Sequence, residues 1–365
     1  MKWKTGVSNI KAYKPGKSVE EVKRELGLSK ITKMASNENP YGTSSLVDKF
    51  LKETQLAAQV YPDGFSTSLR KELASRLQIS ENQLIFGNGS DEVIQMIARA
   101  LLHPEVNTVM PSPSFPQYKH NAMIEGAEIR EVALVDGAHD LDEMLRQINS
   151  ETAVVWLCSP NNPTGLYINH EELTRFMEGV RDDVLVVLDE AYYEYVTADD
   201  YHDSMDFIKR FPNLLVTRTF SKIYGLASFR VGYGIASSEI ISKLDPLREP
   251  FNNNTLGQGA ATVALQDQSF IETCRQKNIE GIELYEEFCK EHGLYCYPSQ
   301  GNFVLIDLKM NGDKVFQYLL REGYIVRSGT ALGYPTCIRV TVGRKETNIK
   351  VITSLRKFLK QIADS

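Results

Sequence analysis

This chain of 365 residues has no long apolar run. Stretches such as AVVWLC stop far short of a bilayer's width, which takes roughly 20 apolar residues in a helix. The amino terminus, MKWKTGVSNIKAYKPGK, lacks the apolar middle of a secretory leader. Its five cysteines (Cys158, Cys274, Cys289, Cys296 and Cys337) are odd in number and include no CxxC pair. Neither a disulfide framework nor a metal site is expected, and reduced thiols in a cytoplasmic protein are the economical reading. No block of lysine or arginine stands out, and the net charge is −6. That argues against nucleic acid or an anionic membrane as a partner. Internal repeats and low-complexity tracts are missing as well.

What is present is the composition of a soluble globular protein, 42% hydrophobic and 24% charged. The length suits two domains, or one large domain with a satellite. From about residue 69 helical and strand patterns alternate. QLIFG reads as a strand that turns through NGS into the helical DEVIQMIARALL. TVMPSPSF, AEIREVAL, TAVVWLCSP, DVLVVLDEA, NLLVTRTFSK and VGYGIAS follow as strands. VLVVL is apolar at consecutive positions, as in a strand buried on both faces of a mainly parallel sheet. The expected fold is α/β, a three-layer sandwich over residues 36–255, with a smaller α+β unit from residues 1–35 and 256–365. In open parallel sheets ligands bind beyond the carboxyl ends of the strands. Five polar segments should therefore converge on one rim: Gly87–Glu92, Ser114–Phe115, Pro160–Gly165, Asp189–Tyr192 and Thr219–Lys222.

Each segment has a bland reading and a chemical one. FGNGSDE is a tight turn with Ser90 or Asp91 as helix N-cap, or a cradle whose backbone N–H groups meet an anion. Asp189 ends a buried strand, where a carboxylate is costly unless paired. It is a structural partner for a turn, or it holds a metal, a histidine or a cationic ring nitrogen; with no H-x-x-H or Asp cluster nearby, metal is the weakest option. SPNNPTG is a plain loop, or it fixes an asparagine amide at the rim. Lys222, in TFSKIYGLASFRVG, is one of 41 lysines and arginines, or a desolvated amine able to attack a carbonyl. In combination the four are the parts that hold pyridoxal 5′-phosphate: an amine for its aldehyde, a carboxylate for its ring nitrogen, an amide for its 3-oxygen and a turn for its phosphate.

At these residues the sequence resembles the fold-type I aminotransferases, class II. SPNNPTG, LDEAYYEY, TFSKIYGLASFRVG, GNFV and CIRVTVG occur in that family's order and spacing, over nearly the whole chain. AYKPGK, ASNENPYG, VYPDG and FGNGSDE point to the branch acting on histidinol phosphate. The resemblance implies that Lys222 bonds the cofactor and shuttles a proton. It implies that Asp189 pairs with the ring nitrogen, that Asn162 and Tyr192 approach the 3-oxygen, and that Phe115 stacks on the ring. Ser90, Asp91, Thr219, Ser221 and Arg230 would serve the phosphate, and Tyr61 would reach the phosphate of a neighbouring subunit's cofactor, making a homodimer. Arg327, Arg339 and Tyr13 would bind substrate, because arginine forks suit both the phosphate of histidinol phosphate and the carboxylate of glutamate or 2-oxoglutarate. The implied reaction is ping-pong transamination in histidine biosynthesis. Three rivals share these motifs: an aminotransferase for phenylalanine or tyrosine, a threonine-phosphate decarboxylase, and a regulator that borrows the fold. The last would carry a basic DNA-binding segment, and only about 35 residues precede the site motifs, too few for a domain.

Overall fold

The computed structural model describes residues 1–4, 6, 7, 10 and 19–364. Seven strands build the large sheet: β1 (Leu84–Gly87), β2 (Asn107–Ser112), β3 (Glu128–Ala133), β4 (Thr152–Cys158), β5 (Leu185–Asp189), β6 (Leu214–Thr219) and β7 (Gly232–Ile235). Their spatial order is β1-β7-β6-β5-β4-β2-β3. β7 runs antiparallel to β1 and β6, and every other adjacent pair is parallel. Side chains alternate across a strand, so the apolar run of β5 feeds two cores: Val186 and Leu188 enter one, Leu185 and Val187 the other. β4 does the same, with Val155 and Leu157 opposed to Val154, Trp156 and Cys158. This is the α/β sandwich expected from the sequence.

Four strands make a second sheet: β8 (Tyr295–Cys296), β9 (Phe303–Asp307), β10 (Arg327–Ser328) and β11 (Cys337–Thr341), in the order β10-β11-β9-β8. All its pairs are antiparallel. On β11, Ile338 and Val340 join a core with Val304, Ile306 and residues of the helices Gln268–Glu291, Gly312–Arg321 and Lys345–Ala363. The alternate residues Arg339 and Thr341 therefore face the other way. Thr32–Lys33 pairs in parallel with Tyr324–Ile325, and the following residues run beside β11, where Thr341 N–H donates to Met34 O at 2.9 Å. The long helical stretch after residue 255 is two helices, Thr255–Ala264 and Gln268–Glu291. Asp267 separates them, its carboxylate capping the second by accepting from Phe270 N–H. Among the described residues no helix is long and apolar enough to cross a membrane.

Candidate active site

The strand order reverses between β2 and β4, and there Ser114 after β2 donates its hydroxyl to Asn161 after β4, at 2.7 Å. A crevice at such a switch point is where open α/β sheets bind ligands. A cavity of about 260 Å³ lies there, lined by residues from all five rim segments.

One end of the cavity suits an anion. β1 runs through Gly87, Asn88 and Gly89 into the helix Ser90–Leu101, whose first turn has no side-chain cap, so its leading N–H groups remain available. Gly89 takes φ +75°, and a Cβ there would lie 2.5 Å from Arg230 Nη2. A Cβ on Gly232 would lie 2.2 Å from the backbone nitrogen of Ser90. The backbones can close into a cradle only without those side chains. Arg230 reaches over it, donating to Ser221 Oγ at 3.2 Å and to Asp91 Oδ2 at 3.1 Å. Thr219 Oγ1 accepts from Ser221 N–H at 3.1 Å.

The middle is walled by aromatic rings and a buried carboxylate. Phe115 stands edge-on to Tyr118, which stacks on Trp156 at 5.0 Å. Asp189 is 2% exposed. Its carboxylate accepts from Tyr118 Oη at 2.6 Å and from Thr217 Oγ1 at 3.1 Å, and among the described residues no cation pairs with it. Burial raises its pKa to about 6, against the pull of those two donors. Lys222 Nζ lies over the Tyr192 ring, 5.6 Å from its centroid, and donates to Ser36 O at 3.3 Å. Burial, and then the Arg339 charge, lower its pKa to about 8, with Asp91 and Glu38 opposing. Arg230 adds only the smallest push of those named, so the lowering comes chiefly from burial and from Arg339 rather than from the phosphate-side residues.

At the other end stand two arginines. Arg327 on β10 and Arg339 on β11 are register partners, directly opposite across an antiparallel pair. Like charges so placed repel. Arg339 is buried and donates to Asn162 Oδ1 and Ala35 O. Among the described residues Arg327 makes no hydrogen bond or ion pair. A pair of this kind is stabilised by an anion between or beside its forks.

Ser90, Asp91, Phe115, Asn162, Asp189, Tyr192, Thr219, Ser221, Lys222, Arg230, Arg327 and Arg339 all line this cavity. Asn161 turns away: its amide donates to Thr164 Oγ1 and its carbonyl accepts from Ser114, which leaves Asn162 as the asparagine at the rim. Tyr61 does not line the cavity; it is 77% exposed and stacks on Phe251 at 4.7 Å. Tyr13 lies outside the described residues. Sequence reasoning missed Tyr118, Thr217, Cys158 and Asn37. Tyr118 lies in the first turn of the helix Gln117–Glu125, just after Phe115. It also missed the support behind Asp189. Burial would raise the Glu190 pKa, but Arg218, His202 and Ser204 hold it near 2.

The sequence model of aminotransferase class I and II matches residues 29–355. A histidinol-phosphate aminotransferase of Geobacillus sp. (strain WCH70) is 56% identical over 361 residues, 99% of each chain. That of Bacillus subtilis (strain 168) is 55% identical, over 98% of this chain and 100% of the relative. The crystal structure of histidinol-phosphate aminotransferase from Sinorhizobium meliloti in complex with pyridoxal-5′-phosphate superposes with a TM-score of 0.89 at 24% identity, covering 99% of this chain and 98% of that one.

Proposed function

The chain belongs to the class I and II aminotransferases, and from that premise we propose that it moves the amino group of histidinol phosphate to 2-oxoglutarate, giving imidazole acetol phosphate and glutamate. The observation that carries the substrate is the register-matched pair Arg327 and Arg339, in one cavity with Lys222 and Asp189. Among the described residues the paired guanidiniums suit a phosphate, whose several oxygens can engage both forks, better than the single carboxylate of a plain aromatic amino acid.

The residues present fit pyridoxal phosphate. A glycine-lined helix terminus under Arg230 suits its phosphate. Asp189, buried with only neutral donors among the described residues, suits a cationic ring nitrogen. Phe115 offers a flat apolar wall. When bound, the cofactor supplies an aldehyde for amines and a protonated ring that accepts electrons. The protein's own residues do the rest. Lys222 Nζ, with its pKa near 8, takes the proton from the amine-bearing carbon of the substrate as general base. Arg327 and Arg339 hold the substrate's phosphate in one half-reaction and a carboxylate of glutamate or 2-oxoglutarate in the other. Asn162, gripped by Arg339, ties substrate arrival to the ring's surroundings.

A homodimer is part of the same proposal. Tyr61, Phe65 and Phe251 are exposed, and Arg248 joins their loops by donating to Gly64 O at 2.8 Å. The loop behind them reaches the phosphate cradle, where Asn253 donates to Gly87 O at 2.9 Å. A two-fold partner covering this patch would bring its Tyr61 toward that cradle. We also take residues 36–255 as the cofactor-binding part, with 1–35 and 256–365 as the small part, and the cytoplasm as the site of action. Two measurements test the reading. Purified protein should absorb in the visible, and borohydride should fix the cofactor to Lys222 in the parent but not in Lys222→Ala. kcat/KM should favour histidinol phosphate over phenylalanine and tyrosine; a preference for either amino acid would overturn the substrate.

A further inference from the structure

Tyr192 is buried, and its hydroxyl oxygen is met by two amides. Asn37 Nδ2 donates to it at 2.9 Å and Asn162 Nδ2 at 3.5 Å. Amide orientation is ordinarily ambiguous, but on each arm the amide oxygen already has a donor of its own. The backbone N–H of Asn37 donates to Thr341 Oγ1 at 2.9 Å. The threonine hydroxyl donates in turn to Asn37 Oδ1, at 3.0 Å, and the amide nitrogen faces Tyr192. On the other arm the Arg339 guanidinium donates to Asn162 Oδ1, which turns that amide nitrogen toward Tyr192 as well. A phenol oxygen has two acceptor sites and one hydrogen. With both acceptor sites engaged, the hydrogen points into the cavity. Asn37 is suited to hold this geometry: it is 1% exposed and adopts φ +57°, a left-handed conformation that asparagine tolerates. Its own carbonyl is pinned by Asn302 Nδ2 at 2.9 Å.

We propose that Asn37 and Thr341 are positioning residues that fix Tyr192 as a hydrogen-bond donor into the cavity, toward the cofactor's 3-oxygen. This rests on the pyridoxal phosphate reading of the site. Burial of Tyr192 keeps the phenol protonated, so the donor persists across the working pH range. A donor at that oxygen favours the form of the bound cofactor in which the neighbouring nitrogen has lost its proton.

The test is a pH titration of the visible absorbance of the cofactor-loaded protein. Asn37→Gly deletes the amide yet keeps the left-handed backbone, and Thr341→Val deletes the hydroxyl at similar volume. Each should raise the titration midpoint by about half a unit to one unit, the scale of one hydrogen bond. Thr341→Ser should restore it. Tyr192→Phe should raise it further, and adding Asn37→Gly to Tyr192→Phe should then change nothing more. Unchanged midpoints in Asn37→Gly and Thr341→Val would overturn the relay alone. So would a shift that persists in the Tyr192→Phe background. The absence of any visible band in the parent protein would overturn the cofactor reading and the relay with it.

Discussion

A buried carboxylate with no cation beside it works against folding at neutral pH. Asp189 shows this: its pKa near 6 lies above the ordinary 3.8, so the folded chain binds a proton there more tightly than the unfolded one. Its ionisation therefore costs stability as pH rises through about 4 to 6, and the full cost is present above that window; below it there is none. Two units correspond to roughly 3 kcal/mol at most. Asp189→Asn, which keeps one acceptor for Tyr118 or Thr217, should melt higher than the parent when both lack cofactor at pH 7. That gap should close as the pH is lowered toward 4, which calorimetry at several pH values would reveal. Arg327 is the complementary case, a cation without an anion among the described residues. Arg327→Ala should cost about 10- to 100-fold in kcat/KM for histidinol phosphate, the worth of charge-assisted bonds, with little loss in melting temperature.

Elements bring these groups together through backbone contacts that side-chain patterns do not announce. The strands and the helix after NGS were legible because apolar periodicity reports them directly. The five rim segments were legible because strand ends in a parallel sheet share one edge. Asn37 was not: it sits in an irregular segment, and its value comes from lying beside β11, a pairing across 304 residues of chain. Tyr118 was hidden because an aromatic on a helix reads as core, and its hydroxyl becomes significant only once Asp189 is known to stand opposite. At the phosphate cradle, β7 closely approaches the helix Ser90–Leu101. Gly232→Ala must push Ser90 away, since its Cβ would fall 2.2 Å from that nitrogen. Equilibrium dialysis should find pyridoxal phosphate bound at least about 10-fold more weakly, and the melting temperature should fall, as overpacking costs about 1–3 kcal/mol.

At the scale of the molecule, Tyr61, Phe65 and Phe251 form a group of exposed aromatics on one chain. Sedimentation should give twice the chain mass, and Phe65→Glu with Phe251→Glu should yield the chain mass and lose cofactor on dilution; a parent that sediments as one chain would remove the shared site. The alternation of β11 presents Arg339 and Thr341 to the same side. The anchor for an incoming anion and the latch on the tyrosine's proton are thus teeth on one rack. An anion that draws Arg339 away from Asn162 slackens one of the two grips on Tyr192. The protein would then change hue when substrate docks, before any bond is broken, and so serve as its own indicator dye.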